Sequence, residues 1–258
     1  MIALITGASS GIGRDMAKVL AKKKYDVILV ARSEDKLKDL KKEIEKEFET
    51  KAYVMTADVS KEDVCYEIYN NVKEQFGKIQ VLVNNAGFGL CGNFTQTDLD
   101  TEVNMIKTNV IGLHILTKLF LQDMVEENEG YILNVASIAG FMPGPLMATY
   151  YSTKAYVVRL TQAVRHELFM KHSKVKITAL CPGPVKTNFN KVAQVNFGPL
   201  GQSSGWIAKV GINAMFHGRI LVFGSFFVWL ARFFAKIIPD QVMAFFTYFV
   251  KRPKMGKK

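Results

Sequence analysis

Tyr150 and Lys154 stand four residues apart in Tyr150-Tyr151-Ser152-Thr153-Lys154, and Ser137 lies thirteen residues before Tyr150. On a helix, that four-residue spacing brings both side chains onto one face, a single turn apart. A phenol titrates near pKa ~10 in water and is a poor proton donor or acceptor at neutral pH. A cation held beside it favours the phenolate and lowers that pKa. A serine hydroxyl at the same place hydrogen-bonds a carbonyl oxygen. Together the three groups suit protonation of a carbonyl or deprotonation of an alcohol. The same spacing also fits a surface tyrosine beside a solvated lysine, so the decision falls to the rest of the chain.

The elements that would position this chemistry begin at the N-terminus. Ile2 to Ile5 is an apolar run without a polar break, as in a buried parallel strand. It leads into Thr6, Gly7, Ala8, Ser9, Ser10, Gly11, Ile12 and Gly13, and a helical pattern follows from Arg14 to Lys24. Glycines at a strand-to-helix turn let backbone amides approach a pyrophosphate at the positive end of the helix. The spacing here is Gly-x-x-x-Gly-x-Gly, not the dinucleotide fingerprint Gly-x-Gly-x-x-Gly. Further apolar strands are expected near 26–31, 52–57, 80–84, 131–136 and 175–181, with helical patterns between most of them. Such alternation means a parallel sheet covered on both faces. No repeat, low-complexity stretch or linker interrupts it, and 258 residues suit one domain.

Five motifs in order give the chain a resemblance to the short-chain dehydrogenases/reductases over roughly residues 1–190. They are Thr6 to Gly13; Asp58-Val59; Asn84-Asn85-Ala86-Gly87; the set Asn109, Ser137, Tyr150 and Lys154; and Pro182 to Thr187. The resemblance implies a single doubly wound α/β domain of Rossmann type, here with a helical C-terminal extension. It implies hydride transfer between a nicotinamide and a carbonyl or secondary alcohol. Tyr150 would act as general acid in the reductive direction, with Ser137 polarising the carbonyl. Lys154 would bond the nicotinamide ribose and hold the Tyr150 pKa down, and Asn109 would hold a water linking Lys154 to solvent. Cofactor contacts are expected from Gly7, Ser9, Ser10, Gly11, Ile12, Gly13, Asp58, Val59, Asn85, Ala86, Gly87, Pro182, Gly183, Val185 and Thr187, together with Tyr150 and Lys154.

The choice of nucleotide follows from the end of the second strand, beside the adenosine ribose. An acid there bonds the free 2′-hydroxyl of NAD, whereas arginine pairs with the 2′-phosphate of NADP. Ala31 stands where NAD-preferring members of the family usually carry Asp, and Arg32 follows it. The expectation is NADP(H), with Arg14 adding charge to the same pocket. Phe88 to Phe94 and Phe141 to Met147 would wall the substrate site, favouring a small apolar ketone or 3-oxoacyl chain. Asn188 to about Trp206, with Gly198, Pro199, Gly201 and Gly205, has the composition of a mobile lid. Tyr151, which lacks the four-residue spacing to Lys154, is read as packing or substrate-pocket wall, and Tyr156 as structural.

Other chemistry is not encoded. The three cysteines form no Cys-x-x-Cys pair and the four histidines have no ligand spacing, so no metal is expected. The first strand begins at residue 2, which leaves no room for a leader, and a cytoplasmic protein is expected. Residues 188–258 are unusual: ten Lys/Arg oppose the single acid Asp240, and Phe and Trp recur from Phe223 to Phe249. Lys209 to Met215, followed by Gly218-Arg219 and a strand-like apolar run, resembles a branch containing 3-oxoacyl and hydroxysteroid reductases with an extended hydrophobic tail. Arg232, Lys236 and Pro239-Asp240 break the apolar run, so no spanning helix is expected. This tail would pack on the pocket, form a homo-oligomer interface, or lie on an anionic membrane. No recognition motif accompanies the basic charge, so nucleic acid is not expected as a partner. A non-catalytic NADP(H) sensor or membrane-surface scaffold is the rival reading.

Overall fold

The computed structural model describes residues 1–187, 189, 193 and 201–251. Six strands fall where the apolar runs are: β1 (Ile2–Thr6), β2 (Asp26–Ala31), β3 (Ala52–Thr56), β4 (Val81–Asn84), β5 (Tyr131–Val135) and β6 (Lys176–Cys181). Helices connect them: α1 (Gly11–Lys22), α2 (Glu34–Phe48), α3 (Glu62–Phe76), α4 (Leu99–Ile106), α5 (Leu113–Glu126) and α6 (Ala148–Met170). After β6 come the two-residue strands β7 (Val185–Lys186) and β8 (Gln202–Ser203), α7 (Ser204–Phe216) and β9 (Leu221–Phe223). Two more helices follow, α8 (Phe226–Ile237) and α9 (Asp240–Lys251).

The main sheet is parallel with strand order β3-β2-β1-β4-β5-β6-β9. Its seventh strand is the strand-like run that follows Arg219. Side chains alternate across the sheet, and the core divides accordingly. Ala3, Ile5, Val27 and Leu29 face α1, α2 and α7, where Met16, Leu40 and Ile212 meet them. Leu4, Ile28 and Leu82 point the other way, to Ile68 of α3 and Phe120 of α5. Both faces of the central strands are buried, which is why these strands read as continuous apolar runs rather than alternating ones.

The strand order reverses between β1 and β4, and a crevice opens there at the strands' carboxyl ends. This is where open α/β sheets bind ligands. Polar side chains brace the crevice floor from inside. Asn84 Nδ2 donates to Thr117 Oγ1 and to Asn134 Oδ1, both at 2.9 Å, and Asn134 Nδ2 donates to Thr161 Oγ1 at 3.0 Å. Between α4 and α5 the backbone widens into a π-helical turn over Lys107–Gly112, a feature concentrated at functional sites.

Candidate active site

The cavity at the carboxyl ends of the strands has a volume of about 800 Å³. That lies within the ~300–1,000 Å³ typical of cofactor and ligand sites. One end is formed by Arg32 and Asp58, the middle by the Gly7–Ile12 turn and Asn85–Gly87, the other end by Ser137, Tyr150 and Lys154.

The middle is a helix N-terminus left open. Ser10 caps α1 with extended backbone and makes no side-chain capping bond, so the first amides of α1 keep their donors. Gly7 takes φ +66°, and a Cβ on it would meet Ala86 Cα at 2.9 Å. A Cβ on Gly13 would stand 2.4 Å from the Gly7 carbonyl oxygen and from Asn85 Nδ2. Gly13 is therefore needed for close packing of the turn and does not line the cavity. The opposite wall is tied to this turn. Thr6 Oγ1 accepts from the Asn85 and Ala86 amides at 3.0 and 3.1 Å, and Asn85 Nδ2 donates to the Thr6 and Gly7 carbonyls. A phosphate-bearing nucleotide fits this arrangement: open amide donors, small residues around them, and a cation at the far end.

That far-end cation is Arg32, mostly exposed, with its guanidinium 3.8 Å from the Asp58 carboxylate. Arg14 departs from expectation. Its guanidinium pairs with Glu43 of α2 at 2.5 Å, and Lys18 joins the same carboxylate. The α1–α2 contact thus takes this charge away from the cavity.

At the reactive end, α6 begins at Ala148, which sets Tyr150 in its first turn and Lys154 in its second. Lys154 is 5% exposed, and its Nζ donates to the Val135 carbonyl at 2.8 Å. The ammonium lies 5.9 Å from the Tyr150 ring centre. Ser137 caps a short 3-10 turn through the Ala139 amide and also hydrogen-bonds the Tyr150 hydroxyl. Burial pushes the Tyr150 phenol up to about 12, with the Ser137 hydrogen bond pulling the other way. Burial pushes Lys154 down to about 8. Loss of hydration dominates the phenol here, and Lys154 is not among the groups that shift it.

Asn109 sits in the π-helical turn, fully buried and off the cavity wall. Its amide is already committed: Oδ1 accepts from the Phe88 amide, and Nδ2 donates to the Phe88 carbonyl and to Thr153 Oγ1. It anchors the Phe88 loop to α6, the helix that carries Tyr150 and Lys154. Apart from Gly13, Arg14 and Asn109, every expected site residue lines the cavity.

The apolar walls are in part as expected. Phe88, Met147 and Tyr151 line the cavity, whereas Phe94 is exposed and Phe141 packs in the core beside β9. Phe189 adds a ring 5.3 Å from that of Tyr150. The rest of the expected lid, including Asn188, Gly198 and Pro199, lies outside the described residues; Gly201 to Trp206 belong to β8, α7 and the residue before them. Asp100, Thr101, Asn104 and Thr108 also line the cavity and were not anticipated. Their signal was the spacing 101, 104, 108 along a helix that runs into Asn109. All three cysteines are buried and stand outside any disulfide, and no metal-binding cluster exists among the described residues.

The profile of the short chain dehydrogenase family matches residues 1–196. The chain is similar to an NADP-dependent 3-hydroxy acid dehydrogenase of Schizosaccharomyces pombe, 36% identical over 191 residues that cover 73% of each protein. It is similar to a very-long-chain 3-oxoacyl-CoA reductase of Rattus norvegicus, 34% identical over 196 residues, 74% of this chain and 61% of that one. A short-chain dehydrogenase from Sphingobium yanoikuyae, solved in complex with NADPH, superposes with a TM-score of 0.83 at 25% identity over 99% of this chain and 98% of that one. The chain belongs to the short-chain dehydrogenase family of oxidoreductases.

Proposed function

We propose that this oxidoreductase uses NADP(H) to interconvert ketones and secondary alcohols, with apolar ketones or 3-oxoacyl chains as substrates. The observation that carries the reading is the Tyr150 hydroxyl, hydrogen-bonded to Ser137 at the closed end of the cavity with Lys154 beneath it. NADP(H), when bound, supplies or takes up the hydride. The α1 amides and Ser9 to Ile12 receive its phosphates, Arg32 pairs with the ribose phosphate, and Asp58 and Val59 border the adenine. Pro182, Gly183, Val185 and Thr187 flank the nicotinamide end.

Tyr150 donates its hydroxyl proton to the carbonyl oxygen in reduction and regains one afterwards. Burial keeps the proton on the Tyr150 hydroxyl but makes it a weaker acid, and the Ser137 hydrogen bond acts against that shift. Ser137 Oγ orients the same oxygen. Lys154, with its pKa near 8, is poised to exchange a proton at neutral pH. Phe88, Met147, Tyr151 and Phe189 exclude water from an apolar substrate. The relatives named for 3-oxoacyl and 3-hydroxy acid chemistry support this substrate class. The whole chain is read as one domain, in which α8 and α9 extend the site, and the protein as a homo-oligomer.

A non-catalytic sensor has no use for Ser137, Tyr150 and Lys154 together. Tyr150→Phe separates the readings, because it deletes one oxygen and leaves the ring. NADPH-dependent ketone reduction is expected to fall about 10²–10⁴-fold with NADPH affinity retained. Undiminished turnover would remove Tyr150 as the proton donor.

A further inference from the structure

The last two helices are amphipathic in the wrong sense for a protein surface. On α8 the residues that turn inward are Val228, against Gly183, and Arg232, whose guanidinium stacks over the Phe141 and Phe223 rings at 5.4 and 5.6 Å. The residues that turn outward are Phe226, Trp229, Phe233 and Ile237, with Phe227 and Phe234 beside them. Phe227 is 80% exposed. The helix therefore holds its arginine against the protein and offers its aromatic face to the surroundings. On α9 the outward stripe is Val242, Phe245, Phe246 and Phe249, at i, i+3, i+4 and i+7. The inward side is Thr247, bonded to the Pro143 carbonyl, and Tyr248, packed on the cluster of Cys91, Leu146 and Met147. Trp206 joins the patch next to α8, its indole bonded to the Gly224 carbonyl and its ring 55% exposed. Exposed aromatic faces of this kind mark interaction sites.

We propose that the aromatic faces of α8 and α9 seat this chain on an anionic lipid surface. Charge selects that occupant over a second copy of the chain. Residues 188–258 carry ten Lys/Arg and one acid, so a self-complementary contact would oppose like charge to like. Anionic headgroups complement it. Lys236 stands exposed at the edge of the α8 stripe, where headgroups would lie. Phe and Trp are also the side chains suited to the boundary between headgroups and acyl chains. No helix among the described residues is long and apolar enough to cross a membrane, so the contact is one of lying on the surface. Position gives the contact a use. Val228 touches Gly183, and Tyr248 packs on the same Cys91, Leu146 and Met147 cluster as Tyr150, so the seated face adjoins the mouth of the active site, and an apolar substrate would pass between lipid and cavity without crossing water. The seating itself does not depend on which substrate is turned over.

The chain provides its own reporter. Its only two tryptophans, Trp206 and Trp229, both lie in the patch, and Trp229 is 43% exposed. The full-length protein is titrated with vesicles of phosphatidylcholine and with vesicles containing phosphatidylglycerol, and tryptophan emission is followed together with co-sedimentation. The expected result is a blue shift on the anionic vesicles, quenching by brominated acyl chains, and about tenfold weaker binding to the neutral ones. Phe227→Asp combined with Phe245→Asp should lower partitioning about tenfold or more, with unchanged circular dichroism. Should that variant misfold, the emission and quenching of the wild type carry the test. Unchanged emission with no co-sedimentation overturns the proposal. So does a lipid-free dimer, detected by analytical ultracentrifugation, that the same double substitution dissociates.

Discussion

Replacing Lys154 by methionine should stabilise the protein while it disables the site. Lys154 is 5% exposed, and burial lowers its pKa from 10.5 to about 8. Each unit of difference between folded and unfolded chains corresponds to about 1.4 kcal/mol, so below pH 8 the folded state bears roughly 3 kcal/mol for keeping this ammonium out of water. Methionine of similar length removes that cost but deprives the Val135 carbonyl of its donor, which costs about 1 kcal/mol. The net expectation at pH 7 is a gain of about 2 kcal/mol. The sign with pH follows from a depressed lysine pKa. Below pH 8 the group is charged in both states and the penalty is complete. Between about 8 and 10.5 the folded chain releases its proton and the unfolded chain does not, so wild-type stability recovers. The advantage of Lys154→Met should thus shrink by about 2 kcal/mol between pH 7 and pH 9.5. Urea unfolding of both nucleotide-free proteins at the two pH values measures this, and the difference between them isolates position 154. A variant less stable than wild type at pH 7, or an advantage independent of pH, would refute the reasoning.

Arg32→Ala should weaken NADPH binding by about 1–3 kcal/mol, because a charge-assisted phosphate contact is lost, and should leave NADH binding nearly unchanged. Nicotinamide fluorescence titrations compare the two, and equal losses for both nucleotides would count against a phosphate role. The side chain is mostly exposed, so thermal stability should stay as it is. Gly13→Ala should cost about 1–3 kcal/mol in urea unfolding and weaken both nucleotides alike, since the new methyl group meets the Gly7 carbonyl at 2.4 Å. Wild-type stability in that variant would mean that the turn is looser than described.

The parallel sheet was legible because its central strands are apolar on both faces, and their sequence runs mark them without help from periodicity. The glycine turn and the Tyr150–Lys154 pair were legible because their chemistry depends on short spacings within single elements. Long-range partners were not. Arg14 looked like a phosphate ligand from its place beside Gly13, but its direction is set by Glu43, twenty-nine residues on. Tyr150 and Lys154 show the same limit: sequence gives their proximity, whereas their pKa values follow from depth below the surface, which only the assembled fold fixes. On α8, Arg232 and Lys236 stand one turn apart, a spacing that puts both on one side of a helix. Packing separates them, turning Arg232 onto Phe141 and Phe223 and leaving Lys236 outside.

The buried amide pair of Asn84 and Asn134 acts as a key for alignment. The two residues are direct partners across β4 and β5. A slip of one position would put an amide against aliphatic neighbours and leave its donors bare, a large cost in the interior. The key also governs function, because each asparagine precedes a working residue. Asn85, directly after Asn84, clasps the glycine turn, and Ser137 follows Asn134 by three positions at the end of β5. Strands advance about 3.3 Å per residue, so a one-place slip would shift the nucleotide wall against the catalytic serine by more than a hydrogen bond's length. The internal amides thus act as a gauge, fixing at the floor of the sheet the distance that chemistry needs at its rim.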